Sequence, residues 1–157
     1  MAPTIKCAMV LLLWISVFMV TDCGAAERAG EARQRGVAMR VLWTVGAYRL
    51  TPNSAWGDEE ARKMLFKPLD ITPSSITFDG RSCQDVAFYQ QEVDAGSYLM
   101  GKFQISQQSL KITDKTFTVI TTDCSLDGFS EYIRLTDRRL LVSFQGVLFF
   151  FNPKVNY

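Results

Sequence analysis

The chain has 157 residues, with 17 Lys and Arg against 16 Asp and Glu and a formal net charge of +1. That balance excludes the strong positive field that gathers nucleic acid or anionic membranes, and the dispersed basic residues do not interleave with aromatics to suggest a groove for single strands. Histidine is absent altogether, which removes the Ser-His-Asp and Cys-His mechanisms, the usual zinc sites and the side chain that titrates nearest neutrality.

The N-terminus reads as an export signal. Lys6 precedes an apolar run from Cys7 to Val20, and small residues follow at Gly24, Ala25 and Ala26. This is the charged start, apolar middle and small-residue cleavage site of a secretory signal peptide, expected to be cut after Ala26. A spanning helix needs about 20 apolar residues, and a lipid on Cys23 would require a small residue where Asp22 stands. The expected product starts at Glu27 and is exported: periplasmic if the source is bacterial, otherwise secreted. Cys7 and Cys23 leave with the leader. Cys83 and Cys124 remain as an even pair in an oxidising compartment, without Cys-x-x-Cys spacing, and are expected to form one structural disulfide.

Residues 27–39 are small, charged and glycine-containing, and are expected to be a flexible lead-in to a single β-rich domain over 40–157. From Arg40 to Leu50 the chain is rich in strand formers, with Val41, Trp43, Val45 and Ala47 at period two. One short helix follows. Asn53 or Ser54 can cap it, Asp58, Glu59 and Glu60 fill its first turn, and Ala61, Met64 and Leu65 form a narrow apolar stripe ahead of Pro68.

Everything after Pro68 reads as β. Short apolar segments recur at Leu69–Thr72, Ser75–Phe78, Asp85–Gln90, Tyr98–Ile105, Leu110–Ile112, Thr116–Thr122, Tyr132–Leu135, Leu140–Phe144 and Val147–Phe151. Turn signals separate them, among them the hairpin-type dipeptide Asp79-Gly80. Spacing of about 8 to 12 residues between turns predicts a mainly β protein, an antiparallel barrel or sandwich of eight or nine short strands with one short helix after the first strand. Closure into a barrel would remove the sheet edges.

No motif carries a specific catalytic signal, and no cofactor or metal is expected. Asp123 to Gly128 resembles a calcium loop at its first, fifth and sixth positions, but the twelfth holds Arg134 where a carboxylate is needed. Glu92 with Asp94 and Asp79 with Asp85 are close carboxylates expected in solvated loops. The C-terminal hairpin is apolar on both faces, which a strand wet on one side is not. Either the helix at Asp58 covers its outer face, or Phe149 and Phe150 form an exposed patch for a partner. Arg138 and Arg139, at a neighbouring turn, could contact an acidic partner. A membrane barrel closing on Tyr157 is disfavoured by Pro153 and by strands shorter than the 9 to 11 residues a span takes.

An export signal, one disulfide and a short-stranded barrel together resemble two families. Lipocalin-like barrels open with a Gly-x-Trp strand. Trp43 lies in the first strand here, preceded by Val41 and Leu42. Small periplasmic lysozyme inhibitors carry a Ser-Gly-x-Gly-like loop with a basic residue before a tyrosine. Ala95-Gly96-Ser97-Tyr98 echoes it without the basic residue. The resemblance implies a non-catalytic exported binding protein whose partner is a protein, such as a hydrolase it inhibits, or a small apolar ligand. It implies neither nucleic acid nor membrane association after cleavage. The alternative is an outer-membrane or membrane-tethered structural protein.

Overall fold

The computed structural model describes residues 41–154. The leader, Ala26, Cys23, the lead-in over 27–39 and Tyr157 lie outside the described residues.

The protein is mainly β, as its turn spacing predicts: nine antiparallel strands in one curled half-barrel sheet. In chain order these are β1 (Val41–Leu50), α1 (Asp58–Arg62), β2 (Pro68–Ile71), β3 (Ser75–Phe78), β4 (Arg81–Gln84), β5 (Phe88–Asp94), α2 (Ala95–Phe103), β6 (Thr116–Thr122), β7 (Glu131–Arg134), β8 (Leu140–Phe144) and β9 (Val147–Pro153). The sheet runs β4-β3-β2-β1-β9-β8-β7-β6-β5. It is therefore two meanders, β1–β4 and β5–β9, welded by the β1–β9 pair.

The disulfide measures the curl. Cys83 lies in β4 and Cys124 just beyond β6, and the two are bonded with Cα atoms 5.6 Å apart. β4 and β6 are seven steps apart in the sheet, which would be roughly 34 Å in a flat sheet at 4.8 Å per strand. Only a sheet bent back on itself brings them together. Closure is partial all the same, and β4 and β5 remain as edges.

The curl divides the apolar residues into two clusters. The inner one holds Val45, Leu69, Ile76, Phe78, Phe129, Val142, Phe144, Phe149 and Phe151. Its rings pack directly: Phe78 lies 5.3 Å from Phe129, 5.4 Å from Phe144 and 5.6 Å from Phe151, centroid to centroid. The outer cluster joins Phe117, Val119, Ile133, Leu141, Leu148 and Phe150 of the sheet to Ala95 and Leu99 of α2 and to Leu110 and Ile112 beyond it. Strands β8 and β9 contribute alternate residues to each cluster, so their unbroken hydrophobicity follows from burial on both sides.

The cover on the outer face is not the expected helix. Ala61, Met64 and Leu65, on α1 and the turn after it, pack into the inner cluster, and the hairpin's outer face is covered by α2. The segment from Tyr98 was read as a strand. It is helical because the Asp94 side chain accepts from the Ser97 N–H at 2.8 Å, capping a helix whose Ala95 and Leu99 then fall on one side, four residues apart. Gln104 ends it in the left-handed region at φ 54°. Leu110–Ile112 is likewise no strand: Leu110 and Ile112 N–H both donate to the Gln107 carbonyl, in turns that still bury both side chains.

Three further positions depart from the sequence reading. Gly57, not Asn53 or Ser54, caps α1, its N–H donating to Glu60 Oε2 at 3.1 Å. β1 carries a bulge between Val45 and Ala47, where a Cβ on Gly46 would run into the Asn152 amide. The extra residue flips the pleat, so Tyr48 and not Ala47 faces inward, 6.0 Å from Phe149. Finally, Asp85 takes φ 56°, and this kink delays the next strand to Phe88. Glu92 and Asp94 therefore lie in β5 and not in a loop.

Candidate binding site

Of the four residues expected to meet a partner, two are interior. Phe149 is wholly buried in the inner cluster and Phe150 is 6% exposed in the outer one. The aromatic patch is core, because both faces of the hairpin have cover. Arg138 and Arg139 do sit at the β7–β8 turn. Arg138 is exposed at φ 69°, and its carbonyl accepts from Trp43 Nε1 at 3.2 Å. Arg139 is half-buried: its Nε donates to Asp137 at 2.7 Å and its guanidinium lies 5.2 Å from the Phe150 ring centroid. Thus Arg138 faces solvent and Arg139 clamps the outer cluster.

The carboxylates singled out by sequence hold the fold together. Asp123 accepts from the Ala87 N–H at 2.9 Å, tying the end of β6 to the start of β5. Asp127 accepts from Gln145 at 3.2 Å. Asp79 pairs with Lys67 at 2.6 Å. Glu92 accepts from Thr116 Oγ1 at 2.5 Å, and the backbone and side chain of Ser97 hold the Asp94 carboxyl below its ordinary range.

The densest polar group on the outer face went unnoticed in the sequence. Tyr98 and Lys102, one turn apart on α2, both donate to the Glu131 carboxylate at the start of β7. Burial, and then the carboxylate, push the Tyr98 phenol far above its ordinary range, so it stays neutral. Burial alone would raise Glu131, but hydrogen bonds from Lys102 and Tyr98 outweigh it and hold the carboxyl low. A phenol held neutral in this way keeps its proton near neutrality. The group pins α2 to the sheet.

One residue is arranged for contact. Phe66 is 78% exposed and stands at φ 66°, a region that bulky residues seldom enter and that costs about 1–3 kcal/mol. Its exposure forgoes a further ~2 kcal/mol of burial. The loop that holds it is not loose. Phe66 N–H donates to the Val45 carbonyl at 2.9 Å, Val45 N–H donates to the Lys67 carbonyl at 3.1 Å, and Lys67 N–H reaches the Met64 carbonyl at 3.3 Å. Met64 is buried just before it. The ring is therefore held in water by a backbone fastened beside the β1 bulge, between Lys63 and Lys67. The sequence offered one clue: Phe66 falls outside the apolar stripe of Ala61, Met64 and Leu65, and lysines bracket it.

Among the described residues no cluster of His, Cys, Asp and Glu is placed to hold a metal ion, and no helix is long and apolar enough to cross a membrane. Compared with known protein families, with characterised proteins and with solved structures, the chain matches none of them.

Proposed function

We propose that this chain is a non-catalytic exported binding protein that engages a partner protein, such as a hydrolase it inhibits, through Phe66. The observation that carries the reading is a large aromatic side chain standing in solvent on a fastened backbone of unfavourable conformation. Backbone strain kept in place by surrounding structure accompanies function, and a pre-organised aromatic is the kind of anchor that dominates protein interfaces, because little entropy is lost when it inserts into a pocket. A protein partner is favoured over a small apolar ligand because the rings of Phe78, Phe129, Phe144 and Phe151 touch one another across the interior. Export rests on the signal-like leader and on the paired Cys83 and Cys124.

Capture from the exported fraction tests this, with the chain from Glu27 as bait beside its Phe66→Gly variant. Glycine accepts the left-handed conformation without strain, so the variant should melt no lower than the parent and yet lose the captured protein. Equal capture by both baits would remove Phe66 from the reading. Recovery of the intact 157-residue chain from the cell interior would remove export.

A further inference from the structure

The open edge of β5 is built to pair with itself, and we infer that two copies of this chain associate through it, β5 against β5, about a two-fold axis passing through Gln91. This inference is independent of Phe66.

β5 is the last strand of the sheet, and among the described residues its only strand neighbour is β6. The direction of its backbone groups follows from the ladder. Ala95 N–H donates to the Lys115 carbonyl at 3.0 Å, and Thr122 N–H on the other side of β6 donates to the Ser130 carbonyl at 2.8 Å. Residues of an antiparallel pair alternate between those bonded to the neighbour and those turned away from it. In the observed register of Tyr89 with Thr121, Gln91 with Val119 and Val93 with Phe117, these three use their backbone groups on β6. Phe88, Gln90, Glu92 and Asp94 turn theirs outward.

Such an edge is ordinarily blunted by brevity, proline, charged side chains (lysine above all) or a bulge, and of these β5 carries only the carboxylates of Glu92 and Asp94. β4, the opposite edge, is four residues long and opens on Arg81. β5 has seven residues, Phe-Tyr-Gln-Gln-Glu-Val-Asp, with neither proline nor lysine, and pairs with β6 without a register shift.

The sequence of β5 is self-complementary about its centre. With Gln91 opposite Gln91 of the second copy, Gln90 meets Glu92, Tyr89 meets Val93 and Phe88 meets Asp94, each twice by symmetry. The outward-turned Gln90 and Glu92 then face each other and exchange backbone hydrogen bonds. Their side chains match as well: the Gln90 carbonyl oxygen already accepts from Arg134 at 3.5 Å, leaving its amide N–H groups to donate to the glutamate. The two Gln91 amides on the axis can each donate and accept, and an aromatic beside a β-branched residue is a favourable cross-strand pair.

Side-chain pairing disfavours the neighbouring registers. A slip of two residues one way sets Glu92 against Glu92. The other way takes Glu92 off Gln90 and sets it against Phe88, while Asp94 moves from Phe88 to Val86. A slip of one residue turns outward groups against inward ones. Gln90, Gln91 and Glu92, the three residues at the centre of the pairing, are all exposed.

Sedimentation of the purified chain over a concentration series tests the pairing. The parent should dimerise as concentration rises. Gln91→Lys and Gln91→Glu, each placing like charges together on the axis, should each weaken the dimer about tenfold, and an equimolar mixture should recover it as a Lys–Glu heterodimer. That recovery also establishes that both variants are folded. A parent chain still monomeric at ~0.2 mM, a dimer indifferent to both substitutions, or a mixture that stays as weak as its components would overturn the proposal.

Discussion

The inner and outer faces of the β8–β9 hairpin both bury apolar residues and differ in what covers them. Inside, Phe149 and Phe151 meet rings from β3, β8 and the Phe129 turn, and the cover is the sheet itself, curled and bridged. Outside, Leu148 and Phe150 are covered by a nine-residue helix and the turns after it, fastened at the sheet by Lys102, Tyr98 and Glu131. A cover made of the whole sheet fails only when the whole sheet fails, whereas a short helix can lift by itself. Strength therefore belongs to the inner face and mobility to the outer one.

The widest test of this contrast removes a ring from within. Phe149→Ala should cost about 3–5 kcal/mol, seen in chemical denaturation as one cooperative transition shifted throughout. A change confined to α2 would contradict the division. Removing the bridge comes next. Replacing Cys83 and Cys124 by alanine should lower stability by about 2–4 kcal/mol, on the chain-entropy argument for a loop closed across 41 residues. A melting midpoint within a degree of the parent would show that the curl holds without its staple.

On the outer face Leu99→Ala should cost about 2–3 kcal/mol. Hydrogen exchange is the sharper readout, with the amides of α2 losing protection before those of β8 and β9. Simultaneous loss in both would join the two clusters into one cooperative unit. The smallest effect concerns pH. Glu131 is held below its ordinary 4.5, so its contribution is complete above that value and disappears as pH falls through the lower folded-state value. Glu131→Gln should accordingly melt below the parent at neutral pH and converge with it in acid, once the pH has fallen below the folded-state value. A gap of constant size across that range would mean the carboxylate's charge plays no part.

Much of the sheet could be read in advance. Thr116–Thr122, Leu140–Phe144 and the Asp79-Gly80 turn declare themselves, because alternation and turn chemistry agree and tertiary contacts only reinforce them. The strand count agrees although Tyr98–Ile105 and Leu110–Ile112 are not strands and Arg81–Gln84, which no apolar pattern marks, is one; the Cys83–Cys124 bridge was legible from the even cysteine count after the leader. The outer face was obscured because Gly96 to Ile105 is short and apolar at mixed spacing. Its helical character depends on one carboxylate, Asp94, accepting a backbone N–H, and on an apolar sheet that rewards Ala95 and Leu99 for facing it. Once that helix was missed, α1 stood as the only available cover. Phe66 escaped for another reason: three residues of helical stripe lie beside it, and its place outside that stripe, between Lys63 and Lys67, is a faint sign next to the left-handed backbone that turns the ring outward.

The weld between β1 and β9 has a kinetic consequence. Every other neighbouring pair in the sheet is also a neighbour in sequence, so each meander can assemble from local hairpins. Joining them requires Val45 to find Phe151 across most of the chain, and encounters at such separation are slow. Refolding should therefore wait on this one meeting. The thiols do not wait for it: Cys83 lies just before β5 and Cys124 just after β6, so the pairing of those two strands already brings them near one another.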